Sequence, residues 1–137
     1  MRRILIVDDE TNVLSALVRA LRLHRGGELE FETFSDPYEA LKRCSLAEFD
    51  VVISDFNMPQ MTGVELLSAL KQIAPDTVRM MLSAATDPTD SRSAFAAIRL
   101  GALDVMAKPA GATTAAFGQL SDQLIATTKA AQELIKG

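Results

Sequence analysis

The residues whose types could do chemistry stand at the ends of short apolar runs. Asp8 and Asp9 follow Ile4-Leu5-Ile6-Val7, Asp55 follows Val51-Val52-Ile53-Ser54, Ser83 follows Met80-Met81-Leu82, and Lys108 follows Val105-Met106-Ala107. If those runs are parallel strands of an open α/β sheet, their carboxyl ends share one edge, where such sheets bind ligands. Three carboxylates gathered there repel, each pair costing about 4 kcal/mol at ~4 Å and an effective dielectric near 20. The cluster therefore calls for a cation, and without one at least one carboxyl pKa rises or the fold is destabilised. An oxygen-only ligand set suits Mg²⁺, with Mn²⁺ as its substitute, because such ions keep several waters and readily share a phosphate. A lysine beside the acids points to the same phosphate.

Alone, each of these residues has a plainer use. Asp8 and Asp9 could cap the helix that follows and sit at its positive end. Asp55 could be a turn residue, Ser83 could bond local backbone, and Lys108 before Pro109 could be solvated. Their joint occurrence at the ends of successive apolar runs makes one constellation more economical than separate accidents.

The elements that must position them alternate along the chain. Arg3 to Val7 is a continuous apolar run of the kind buried on both faces. Thr11 to Leu23 places Leu14, Leu17, Val18 and Leu21 at helical spacing before Gly26-Gly27. Leu29 to Phe34 alternates apolar and polar, as a strand near a sheet edge does. Asp36 caps a helix with Pro37 at its first position, running to about Leu46 and carrying Cys44 as a half-buried filler thiol. Asp50 to Ser54 is the third strand. Thr62 and Glu65 form a capping box opening a helix through Ile73, with Leu66, Leu70 and Ile73 inward. Val78 to Leu82 is the fourth strand, Asp90 to Leu100 a helix ending at Gly101 with Phe95 and Ile98 on one side, and Leu103 to Met106 the fifth strand. The last helix, about 113–136, aligns Phe117, Leu120, Leu124, Thr128, Ala131 and Ile135. Five strand and helix pairs predict a doubly wound parallel α/β sheet with right-handed crossovers.

Composition narrows the class. A length of 137 residues with 48% hydrophobic content suits a single domain spanning 1–137 with one sizeable core. The net charge of −4 without a basic stripe argues against direct nucleic-acid binding. A single cysteine excludes an internal disulfide and fits a reducing compartment. No apolar run approaches the ~18 residues of a membrane span, and a strand starting at Arg3 leaves no room for a signal peptide. A soluble cytoplasmic protein is expected, with no membrane partner.

The chain resembles the receiver domain of bacterial two-component response regulators. The resemblance rests on Ile6-Val7-Asp8-Asp9-Glu10, on Ser54-Asp55-Phe56-Asn57-Met58-Pro59 with Gly63, on Leu82-Ser83-Ala84, and on Gly101-Ala102-Leu103-Asp104 leading to Lys108-Pro109. These motifs fall in the family's order from Arg3 to about Ile125. The resemblance implies a flavodoxin-like (βα)5 fold with strand order 2-1-3-4-5. It implies that Asp55 accepts a phosphoryl group from a sensor histidine kinase or a histidine phosphotransfer protein, the domain being a phosphoacceptor rather than an enzyme in its own right. Asp9, Asp55 and the backbone carbonyl of Asn57 would ligate Mg²⁺, and Asp8 would hold a water of that ion. Lys108 would pair with a phosphoryl oxygen, Ser83 would bond another, and the Lys108–Pro109 peptide would be cis. Output to an effector domain or protein would use the face of the fourth helix, fifth strand and last helix, and the end of that last helix would serve as a linker or a homodimerisation segment.

Two departures bear on output. Val105 stands where the family usually has an aromatic residue that turns inward on activation, and a β-branched valine is stiff and too small for that swing. Ala110 replaces an aromatic after Lys-Pro, and the stretch around Thr86 to Thr89 is longer than usual. Activation is therefore expected to concentrate in the Ala84 to Asp90 loop. The resemblance also implies that Asn57 and Ala85 border the path of a hydrolytic water; Ala85 is small and leaves it open while Asn57 can hydrogen-bond a water, so self-dephosphorylation is expected in seconds to minutes. A haloacid-dehalogenase-type phosphatase would need a proton-donating acid at Asn57, which asparagine cannot replace. A flavodoxin would have a phosphate loop rich in Ser, Thr and Gly after its first strand, whereas Asp8-Asp9-Glu10 would repel a phosphate that lacks a bridging metal. The alternative with a specific basis, the valine, is a phosphorylation-independent interaction module on the receiver fold.

Overall fold

The computed structural model describes residues 3–25, 29–55, 58–83, 98–99, 101–109 and 114–136. In chain order the elements are β1 (Arg3–Val7), α1 (Thr11–Arg25), β2 (Glu30–Phe34), α2 (Pro37–Leu46), β3 (Val51–Asp55), α3 (Gly63–Ile73), β4 (Val78–Ser83), β5 (Asp104–Ala107) and α4 (Thr114–Lys136). The strands form one parallel sheet in the order β2-β1-β3-β4-β5, which places β3 and its terminal Asp55 at the centre. The helix predicted over Asp90 to Leu100 lies outside the described residues except for Ile98 and Arg99, which are helical.

Strand periodicity divides the core between the two faces of the sheet. Ile4, Ile6, Val51, Ile53, Met80 and Leu82 face α1 and α4, where Leu14, Leu17, Leu21, Phe117, Leu120 and Leu124 cover them. Leu5, Val7 and Val52 point the other way, onto Ala40 and Cys44 of α2 and Leu66 and Leu70 of α3. Each such side chain withdrawn from water contributes roughly 1.5–3 kcal/mol, so the inner strands are fixed from both sides. Edge strand β2 is more exposed, as its alternating sequence predicts.

Local signals place the helix starts. Asp36 accepts a hydrogen bond from the Tyr38 N–H with Pro37 at the first helical position, and Thr62 and Glu65 form the reciprocal capping box. Gly101 has φ +101°, a conformation that favours glycine, and a Cβ there would stand 2.8 Å from Arg79 Nη2.

Three expectations need correction. Ile73 is 41% exposed, while Leu67 is fully buried. Ile73 does share the face of Leu66 and Leu70, but it ends α3 beyond the start of the strands and borders a groove with Phe49 and Ala74. Periodicity sets the face of a helix and not how far the sheet beneath it extends. Cys44 is buried rather than half-buried, and burial, aided by the charge of Glu32, pushes its thiol up to about 11. No cis peptide occurs among the described residues, so Lys108–Pro109 is trans. The lower-energy isomer suffices there because the lysine already reaches its partners. The Thr128 end of the α4 stripe is buried as expected; the side chains of Ala131 and Ile135 lie outside the described residues.

Candidate functional site

The carboxyl edge of the sheet assembles the predicted residues from four strands. β1 ends at Val7, and the next residue, Asp8, keeps its backbone N–H on the Phe34 carbonyl of β2 at 3.0 Å. Its Oδ1 accepts the Glu10 N–H at 2.9 Å, while the first backbone bonds of α1 run to the Glu10 carbonyl, so Asp8 turns the chain ahead of the helix rather than capping it. Asp55 is the last residue of β3 and sits opposite Leu82 of β4. Ser83 ends β4, is buried, and its carbonyl accepts the Lys108 N–H at 2.8 Å. That backbone bond delivers Lys108 from the end of β5 into the cluster.

The ammonium joins two strands' acids. Lys108 Nζ lies 2.8 Å from Asp8 Oδ2 and 2.9 Å from Asp55 Oδ1, with only 11% of the lysine side chain exposed. The resemblance assigns Lys108 to a phosphoryl oxygen; here its ammonium contacts Asp55, and the contact with Asp8 is one the sequence does not announce. The only sequence signal for it was the excess of acids over cations in the constellation. Asp8, Asp9 and Asp55 each present a carboxylate oxygen within 4.8 Å of the others, Asp9 being the most open. Asn57 lies outside the described residues, as do Ala84 to Asp90; Val105 is half-buried beside Leu67, Met81 and Ala102.

The electrostatics are those of an incompletely neutralised cluster. Burial, then the charge of Asp8, pushes Asp55 up to about 6 despite the opposing pull of Lys108. Burial also raises Asp8. For Lys108, burial favours the neutral amine, but the two carboxylates outweigh it and the net shift is upward. One ammonium thus faces a cluster of three acids, and the buried Asp8 Oδ2 has that ammonium, 2.8 Å away, as its side-chain partner. A buried acceptor in a hard-oxygen, net-negative cluster fits a divalent cation of the Mg²⁺ kind.

The parallel sheet thus gathers acids from the ends of its inner strands β1 and β3 and a lysine from the end of edge strand β5 at one carboxyl edge. Residues 4–115 match the response regulator receiver domain, and the chain belongs to that family of two-component systems. It is 32% identical over 129 residues to a protein-glutamate methylesterase/protein-glutamine glutaminase of Caldanaerobacter subterraneus, covering 94% of this chain and 34% of the relative. It is 36% identical over 107 residues to the transcriptional regulatory protein PrrA of Mycobacterium tuberculosis, covering 78% of this chain and 43% of the relative. It thus spans well under half the length of these relatives. Among solved structures, the response regulator domain of Thermotoga maritima CheB superposes with a TM-score of 0.79 at 26% identity, covering 97% of both chains. The chemotaxis response regulator CheY4 of Vibrio cholerae is 31% identical with a TM-score of 0.69, covering 89% of this chain and 98% of that one. No helix among the described residues is long and apolar enough to cross a membrane.

Proposed function

We propose that Asp55 is the phosphoacceptor of a single receiver domain spanning 1–137. The observation that carries this reading is the Lys108 ammonium 2.9 Å from Asp55 Oδ1 at the buried end of the central strand. A carboxylate oxygen of Asp55 attacks the phosphorus of a phosphohistidine, the P–N bond breaks, and the imidazole leaves with its electron pair. Transfer of this kind needs little besides positioning and charge neutralisation, because the moving group is loose and its charge is spread over three oxygens. Lys108 supplies one positive charge, released from Asp55 to a phosphoryl oxygen. Asp9, Asp55 and the Asn57 carbonyl would hold Mg²⁺, with Asp8 behind them, and the ion would supply the remaining neutralisation. At pH 7 a carboxyl near 6 is mostly ionised, as a nucleophile must be.

The phosphodonor is a sensor histidine kinase or histidine phosphotransfer protein in the cytoplasm. Ser83, buried one residue beyond the β4 partner of Asp55, gains a hydrogen bond when a phosphoryl group arrives and relays the change into the loop after β4. An effector domain or protein reads it on the face containing β5 and α4, and a second copy of the chain is a further candidate for that face. Incubation with acetyl phosphate and Mg²⁺ should add one phosphoryl group to the intact mass, and Asp55→Asn should abolish it. Labelling that survives in the variant or in excess EDTA would refute the assignment.

A further inference from the structure

α1 carries Arg19, Arg22 and Arg25 and no acid, in a chain whose net charge is −4. Among the described residues neither Arg19 nor Arg22 has a carboxylate partner, which sets them apart from Arg3 and Arg43, both bound to Glu32. They stand beside a groove of about 310 Å³ between α1 and edge strand β2, lined by Leu14, Ser15, Val18, Phe31 and Thr33 together with the arginines. Its floor is apolar, from buried Leu14 and half-buried Val18 and Phe31, and its rim is hydroxyl and guanidinium. Arg22 lies over the Phe31 ring with Cζ 5.6 Å from the centroid, a cation–π contact that holds the guanidinium at the groove's rim. A merely solvated cationic stripe would need neither the groove nor the aromatic contact.

We propose that the α1–β2 groove docks an acidic segment of a partner protein, one apolar side chain entering the floor while flanking carboxylates meet Arg19 and Arg22. Charge complementarity selects this occupant, because an acidic segment is repelled by the rest of this acidic chain and accepted here. The groove lies on the β2 side of α1, away from its packing on α4, so the proposal stands independently of the reading of Asp55.

The test uses the full chain, ¹⁵N-labelled, titrated with a capped peptide in which glutamates flank a single leucine, and with the same peptide carrying lysines in place of the glutamates. Shift changes should centre on Ser15, Val18, Arg19, Arg22, Phe31 and Thr33, weaken as salt rises past a Debye length of about 10 Å, and be absent with the lysine peptide. The double variant Arg19→Ala/Arg22→Ala should bind roughly tenfold more weakly, as expected for two exposed charge pairs plus a lost cation–π contact. Arg19→Lys, which keeps the charge and leaves Arg22 on Phe31, should keep most of the affinity, which separates charge recognition from loss of fold, and Asp55→Asn should bind like wild type. No localised shifts at millimolar peptide, equal binding of both peptides, or affinity unchanged in the alanine variant would overturn the proposal. So would arginine-dependent binding of anionic lipid vesicles without binding of the acidic peptide.

Discussion

The two ends of the sheet use the same ingredients to opposite effect. Toward the amino end, Glu32 in the middle of β2 receives Arg43 Nε at 2.6 Å and Nη2 at 3.0 Å, and Arg3 Nη2 from the start of β1 reaches it at 3.3 Å. Both guanidiniums also lie over the Phe49 ring, at 4.9 and 5.9 Å. Arg3 also pairs with Glu30 at 3.7 Å, so acids and cations balance there, and the Arg43 hydrogen bond holds Glu32 below the usual carboxylate range. At the carboxyl end three acids gather beside one lysine that contacts two of them, and burial raises those two. The first cluster is satisfied and holds the structure; the second is left short of positive charge, which a metal and a phosphoryl transfer can use. Removing a carboxylate at the two ends should therefore change stability in opposite directions.

The largest effect is expected from Lys108→Ala. Breaking a buried ion pair by deleting one partner leaves uncompensated charge, at a cost of roughly 3–5 kcal/mol. Urea denaturation of the metal-free protein at pH 7 should show a loss of that order, and millimolar Mg²⁺ should recover part of it. A loss under about 1 kcal/mol would mean that the cluster is already neutralised by protonation.

Next comes Asp55→Asn, which should stabilise the metal-free protein at neutral pH. A carboxyl raised from 3.8 to about 6 in the fold binds its proton more tightly when folded. Its contribution is fully present below the unfolded pKa and is lost as pH rises through about 6. The wild-type melting temperature should thus fall between about pH 4 and pH 7 relative to the variant, with an upper bound of about 3 kcal/mol. Raised Asp8 acts in the same direction. A wild-type advantage at pH 7 without metal would contradict the sign. Phosphoryl uptake from acetyl phosphate should also decline as pH drops through this range, because the nucleophile becomes protonated.

These contrasts show which features the sequence could reveal. Asp36-Pro37 and Thr62-Glu65 were legible because capping partners lie within a few residues of each other. The strands were legible because burial on both faces leaves continuous apolar runs, and the family motifs located Asp8, Asp9, Asp55, Ser83 and Lys108. Glu32 with Arg3 and Arg43 was not legible: its partners are separated by 29 and 11 residues, and only the folded sheet brings them together. The Lys108–Asp8 contact was hidden for the same reason, and Ile73 because periodicity carries no information on the end of the sheet.

Metal supplies the missing charge, so Mg²⁺ should raise the wild-type melting temperature at pH 7. Binding to the native state alone stabilises by about 2.7 kcal/mol at a hundredfold excess over Kd. Asp9→Asn removes a proposed ligand and should blunt the rise, while the amino-end variant Glu32→Gln should leave it intact. A wild-type melting temperature flat across a Mg²⁺ titration would count against a formed site.

The smallest effect belongs to the satisfied end. Glu32 is one-third exposed, and exposed ion pairs are worth little even when bidentate, so Glu32→Gln should cost about 1 kcal/mol or less. Its sign should nonetheless oppose that of Asp55→Asn at pH 7, because removing Glu32 discards a carboxylate stabilised in the fold. A group held below its usual range contributes stability above the unfolded pKa and loses it as pH falls through the folded one. The Glu32→Gln penalty should accordingly be largest at neutral pH, shrink below about pH 4.5, and diminish in high salt without responding to Mg²⁺. Equal and same-signed shifts from Glu32→Gln and Asp55→Asn, measured side by side in EDTA at pH 7, would erase the distinction between the two ends.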